Sequence, residues 1–90
     1  MLKIEYSNHA LTRLKIRNIE KSEVEQALSS PQKTYFDIAT GYLVAIAERK
    51  FRKNHWLIVV YTKLDDIYRV ITVIDTKSLN KIIQRRILSG

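Results

Sequence analysis

Ninety residues without a cysteine suffice for one hydrophobic core rather than two, and they exclude disulfides and thiolate zinc sites, so packing alone must hold the fold. Lys and Arg number 16 against nine Asp and Glu, a formal net charge of +7; this surplus attracts polyanions, yet it is also ordinary for a soluble small domain. Apolar residues make up 46% of the chain, too many for disorder, and the longest apolar run, Trp56 to Tyr61, is far short of the about 20 residues that cross a bilayer.

Leu2 to Tyr6 alternates apolar with charged residues and predicts a short leading strand. Ser7 predicts the N-cap of a helix running to about Arg17, with Ala10, Leu11 and Leu14 on its inner face. Asn18 ends it, because Asn tolerates the left-handed conformation at a helix terminus. Ser22-Glu23-Val24-Glu25 has the spacing of a capping box for a second helix. Val24, Ala27 and Leu28 form its buried stripe, and Pro31 disfavours helical geometry at Ser30.

From residue 33 the pattern changes to strands. Lys33 to Asp37 is the first, followed by a turn at Ala39-Thr40-Gly41 and a strand from Tyr42 to Lys50. A basic loop then leads into His55 to Lys63, a hairpin turn at Leu64-Asp65-Asp66, and Tyr68 to Asp75. The runs Leu57 to Tyr61 and Val70 to Ile74 lack alternation, so both are expected to be buried on two faces in the middle of the sheet. Lys77 to Leu88 is a last helix with Leu79, Ile82, Ile83 and Ile87 inward. No linker or repeat interrupts the pattern. The expectation is one α+β domain over residues 1–90: a two-layer fold with N-terminal helices and a C-terminal helix packed on an antiparallel sheet of three to four strands.

Four constellations carry possible chemistry. His9, Arg13 and Arg17 stand at i, i+4 and i+8, within an arc of roughly 80° on one helix face. Two arginines on one side can fork onto phosphates near a helix N-terminus; the competing reading is a solvated face with an Arg paired to Glu20 or Glu23. The loop Arg49-Lys50-Phe51-Arg52-Lys53-Asn54-His55 interleaves four cations with an aromatic and a histidine, which suits phosphate contact and base stacking. As an alternative, its cations discourage edge pairing. Tyr61, Lys63, Tyr68 and Arg69 flank the central hairpin, where each tyrosine taken singly reads as half-buried core. Lys77, Lys81 and Arg85 repeat the i, i+4, i+8 pattern on the last helix and read as its wet face. The sequence holds neither an HExxH motif nor a phosphate-binding glycine loop, and its two histidines are a weak zinc argument. No metal and no cofactor are expected. The first residues, Met1 to Tyr6, are too short and charged for a signal peptide, so a cytoplasmic location is expected.

Tyr6-Ser7-Asn8-His9-Ala10-Leu11-Thr12-Arg13-Leu14-Lys15-Ile16-Arg17-Asn18-Ile19, with Ser22 to Leu28 and Pro31 after it, resembles the DUF4258 family. That family opens on a pattern like S-x-H-A-x-x-R-x-x-x-R-x-I, followed by a short acidic helix and a proline. Leu57 to Tyr61 and Tyr68 to Ile74 look like its paired strands. Asn18 departs from the Gly that the family commonly has there, and either residue suits a left-handed helix end. The resemblance implies a RelE-like fold and places the chain near a wider group that includes toxin endoribonucleases of toxin–antitoxin pairs. It also lends His9, Arg13 and Arg17 a functional role.

The expected activity is therefore metal-independent RNA cleavage by attack of the 2′-hydroxyl on its own phosphodiester. Such chemistry needs a base, an acid and cations around the phosphorane. His9 or His55 would act as base or acid; Arg13, Arg17 and Arg69 would stabilise charge, with Tyr61 or Lys63 as a further proton donor. Arg49, Lys50, Arg52, Lys53 and Lys63 would contact the nucleic acid. The expected partners are RNA, free or ribosome-bound, and an acidic antitoxin protein. The alternative is a basic domain that binds nucleic acid or a protein partner without catalysis.

Overall fold

The computed structural model describes residues 2–50 and 52–80. Strand β1 (Lys3–Tyr6) hands the chain through Ser7 to helix α1 (Asn8–Ile16). The Ser7 hydroxyl accepts from the Ala10 amide at 3.0 Å, as the sequence predicts for an N-cap. Asn18 takes φ 55°. Around it the Ile19 amide donates to the Leu14 carbonyl at 2.9 Å and the Asn18 amide to Lys15 at 3.3 Å. These two bonds satisfy carbonyls that the helix end would otherwise leave open.

The N-cap of helix α2 (Lys21–Ser29) lies two residues before the expected one. Glu20, not Ser22, is the N-cap, and the reciprocal partner is Glu23, whose Oε1 accepts from the Glu20 amide at 3.3 Å. The α1 turn delivers Glu20 directly to the cap position, so Ser22 lies inside the first turn and its hydroxyl donates to Glu20 Oε2 at 3.3 Å.

Strands β2 (Lys33–Phe36), β3 (Leu43–Glu48), β4 (Trp56–Leu64) and β5 (Ile67–Thr76) follow. They form an antiparallel meander, and β1 adds to the outside of β5 in parallel. The sheet thus has five strands in the order β1-β5-β4-β3-β2. This corrects the expected antiparallel sheet of three to four strands. Two helices separate β1 from β2, so no tight turn binds β1 to its neighbour in sequence, and the long crossover permits a parallel pairing.

Both helices lie on one face. Ala10, Leu14, Ile19, Val24, Ala27 and Leu28 pack on Ala45, Leu57, Val59, Val70 and Val73. On the other face Val44, Ile46, Ile58 and Val60 pack with Trp56, Ile74 and Leu79. Leu57 to Tyr61 are all buried in the central strand, as their continuous apolar run predicts. The second run differs: in Val70 to Ile74 only Val70 and Val73 are buried. β1 covers β5 only as far as Val70, so the rest of that strand is open on its outer side. Of the expected last helix, only Leu79 and Asn80 are helical among the described residues; Ile82, Ile83, Ile87, Lys81 and Arg85 lie outside them.

One irregularity sets the site. Tyr61 pairs with Val70 and Val60 with Thr72, which leaves Ile71 as an extra residue in β5. A bulge of this kind re-aims the side chains beyond it. Val70 and Val73, an odd number of positions apart, both face the helices, and Asp75 follows on that same face.

Candidate functional site

Beyond Val70, β5 continues without β1 beside it. Helix α1 runs there instead, held by its Ala10 and Leu14 stripe. Ser7 ties the two together, its amide donating to the Val70 carbonyl at 3.0 Å and its hydroxyl to the Ile71 carbonyl at 2.8 Å. Between helix and strand lies an open groove of about 380 Å³, lined by His9, Arg13 and Arg17 on one side and Ile71 to Asp75 on the other. His9 and Arg17 are exposed and Arg13 is half-buried. The three residues singled out by spacing therefore share one concave surface.

The basic loop is organised differently from expectation. Arg49 is buried, at 7% exposure, and is not a surface cation. Its guanidinium forks onto Glu23, with Nε to Oε2 at 3.0 Å and Nη2 to Oε1 at 2.9 Å. It also donates to the Asn18 carbonyl at 3.1 Å and to Asp75 Oδ2. The other Asp75 oxygen accepts from His55 Nδ1 at 2.5 Å, and Arg52 approaches Asp75 at 3.5 Å. Glu23 and Asp75 are themselves 8% and 5% exposed. Lys50 and Lys53 stay exposed, and Arg52 is half-exposed. The loop closes through the Arg49 amide to the His55 carbonyl at 3.0 Å, with Asn54 at φ 65°.

Burial without compensation would neutralise these carboxylates. For Glu23 the hydrogen bond from Arg49 outweighs burial and holds the carboxyl below its ordinary range. For Asp75 burial pushes upward, but hydrogen bonds from His55 and Arg49, with the Arg49 charge, bring the net below the ordinary value. Arg49 is raised, first by the Glu23 hydrogen bond, and stays charged.

Asp75 joins the two regions. It lines the α1 groove while it holds His55 and Arg49 of the loop. In the sequence Glu23 is visible as a capping residue and as a partner for an arginine of the first helix, but its actual partner is Arg49. Asp75 had one signal, a carboxylate at the end of a β-branched run, where Asp is disfavoured.

His55, Lys50 and Lys53 line a second hollow beside Arg49 rather than the groove, and the remaining predicted residues stand apart from both. Tyr61 is buried among core residues, where burial raises its hydroxyl pKa; its ring lies 5.6 Å from that of Tyr68. Lys63 sits over the Tyr68 ring at 5.0 Å. Arg69 lies between Tyr68 and Val70, which both pack toward the helices, so strand alternation puts it on the opposite face. None of the three lines the groove.

No group of three or more His, Cys, Asp and Glu among the described residues is arranged to hold a metal ion. No helix among them is long and apolar enough to cross a membrane. No curated protein and no solved structure matches the chain. The profile of DUF4258, a domain of unknown function, matches residues 6–84. That span holds α1, α2, the sheet from β2 to β5 and every residue of the groove, and the chain belongs to the DUF4258 family.

Proposed function

We propose that this protein is a metal-independent endoribonuclease that binds RNA along the α1–β5 groove and cleaves it by 2′-hydroxyl attack. The carrying observation is the convergence of His9, Arg13 and Arg17 on one groove that ends at Asp75, the carboxylate that holds His55. A phosphodiester fits that chemistry. Guanidinium groups bind phosphate oxygens through paired hydrogen bonds and stabilise the charge that builds in the phosphorane. Imidazoles move protons near neutral pH. The surplus of seven positive charges draws a polyanion toward the site. A helical layer over a largely antiparallel sheet also supports the RelE-like reading, and with it a cytoplasmic toxin whose acidic antitoxin would cover the basic groove.

Incubation with a mixed-sequence RNA in excess EDTA tests the activity. Wild type should cut, leaving 2′,3′-cyclic phosphate ends, and Arg13→Ala should cut about 100-fold or more slowly, as for loss of one group that stabilises transition-state charge. RNA that stays intact, free or on ribosomes, overturns the proposal. A second reading is a basic domain that binds without cleaving; the burial of Arg49 in a cluster that ties α2 to β5 favours it, because that cluster has a structural task of its own. Salt-sensitive binding with no cleavage would select it.

A further inference from the structure

We propose that His55 is the general base of this site and that Asp75 is its positioning residue. The assignment rests on the reading of the groove as RNA-cleaving, and it names which of the two histidines moves the proton.

The two rings differ in how they are held. His9 is exposed on the first turn of α1, and none of its ring atoms is hydrogen-bonded among the described residues. His55 is fixed: Asp75 Oδ1 lies 2.5 Å from Nδ1. Asp75 is fixed in turn by Arg49, and Arg49 by the Glu23 fork and the Asn18 carbonyl. The end of α1, the first turn of α2, the end of β3 and the end of β5 thus converge on one imidazole. An ionised carboxylate at Nδ1 can only accept, so in the neutral ring it is Nδ1 that carries the proton and Nε2 that holds the lone pair. Among the described residues Nε2 has no hydrogen-bond partner, and it is not one of any buried, unsatisfied atoms. The side chain is 19% exposed and lines a second hollow with Lys50, Lys53 and Trp56, which Asp75 joins to the α1 groove. Glu23 and Asp75 bring two negative charges, which face the buried Arg49 and the half-exposed Arg52 at 3.5 Å from Asp75; Asp75 is the carboxylate in contact with the ring when the proton arrives.

The step balances without a co-reactant other than water. Nε2 takes the proton of an RNA 2′-hydroxyl, and the 2′ oxygen forms a bond to the adjacent phosphorus. The bond from phosphorus to the 5′ oxygen breaks, and that oxygen takes a proton from water. Products are a 2′,3′-cyclic phosphate and a 5′-hydroxyl; the His55 imidazolium then returns its proton to solvent. Asp75 touches no reacting atom. It fixes the tautomer and the ring plane, as an orienting carboxylate does in other proton-transfer pairs.

Nitrogen-15 NMR of the histidine rings and single-turnover cleavage in EDTA test this together. Wild-type His55, when neutral, should carry its proton on Nδ1; a proton on Nε2 overturns the assignment. His55→Ala should cleave at least about 100-fold more slowly, keep RNA affinity within about twofold, and recover partly with added imidazole. Asp75→Asn should move the ring proton to Nε2 and slow cleavage about tenfold or more, an effect that a purely structural role would not produce at equal folded fraction. Should Asp75→Asn fail to fold, the wild-type tautomer and His55→Ala still decide. Cleavage by His55→Ala at the wild-type rate overturns this inference alone. Absence of cleavage by wild type overturns the proposed function and this inference with it.

Discussion

Ser7 donates its hydroxyl to the Ile71 carbonyl at 2.8 Å, across 64 residues of chain. The same oxygen accepts from the Ala10 amide at 3.0 Å. One side chain therefore caps α1 and fastens it to the bulge in β5. The distance between the helix face bearing His9, Arg13 and Arg17 and the strand opposite depends on it.

Ser7→Ala should remove both bonds. A lost N-cap typically costs about 1 kcal/mol, and the orphaned carbonyl adds about another. For a domain of this size that corresponds to a fall of roughly 8–16 °C in Tm. Ser7→Thr keeps a hydroxyl at the cap and should retain most of the stability. Thermal melts of the two variants check this; equal loss in both would contradict the double role.

Arg49 offers a sharper contrast with its neighbours in the loop. Arg49→Met leaves Glu23 and Asp75 buried without their cation, and breaking such a buried pair costs about 3–5 kcal/mol. Lys50→Ala and Lys53→Ala remove exposed charges and should change stability by less than about 0.5 kcal/mol. Denaturant titrations separate these outcomes, and a mild Arg49→Met would show that the cluster contributes little.

The same cluster sets the behaviour in acid. Glu23 and Asp75 both have carboxyl pKa values below their ordinary range in the folded protein. The unfolded chain therefore binds protons first as pH falls. Their contribution is fully present above the unfolded carboxyl values of about 4 and is lost as pH drops through the lower folded values. The melting temperature should hold from neutrality to about pH 5 and decline below about pH 4. The double variant Glu23→Gln, Asp75→Asn, where it folds, should show a flatter acid limb in the same melts.

Much of this architecture was legible in the sequence. Ser7 and Asn18 marked both ends of α1 through chemistry that acts locally, a hydroxyl cap and a tolerated left-handed residue. The continuous run Leu57 to Tyr61 identified the central strand. The parallel place of β1 was not legible, because nothing in Lys3 to Tyr6 encodes which distant edge it will join. Nor was the bulge at Ile71, which turns Asp75 toward the helices. The spacing of His9, Arg13 and Arg17 is a property of one helix, and their common groove followed from it. The Glu23–Arg49–Asp75–His55 cluster draws on residues up to 52 positions apart, from 23 to 75, so no local pattern could announce it. A run of basic residues at 49–53 looks alike in sequence whether an arginine points outward or inward.

Salt dependence separates contact residues from bystanders. Each phosphate contact to single-stranded RNA contributes about 0.7 to the slope of log affinity against log salt. Arg13→Ala and Arg17→Ala should each lower that slope by about this amount. Arg69→Ala, on the opposite face of the sheet, should leave it unchanged. Fluorescence anisotropy across a salt series measures all three, and a loss for Arg69→Ala equal to that for Arg13→Ala would move the binding surface off the groove.

The most direct test of RNA cleavage at this groove uses two substrates in EDTA: an RNA cut by the wild-type protein, and the same RNA with one 2′-deoxy nucleotide on the 5′ side of the cleaved bond. The account predicts that the first is cut to a 2′,3′-cyclic phosphate and that the second stays intact at that bond. Cleavage of both substrates at the same rate, or of neither, would contradict it.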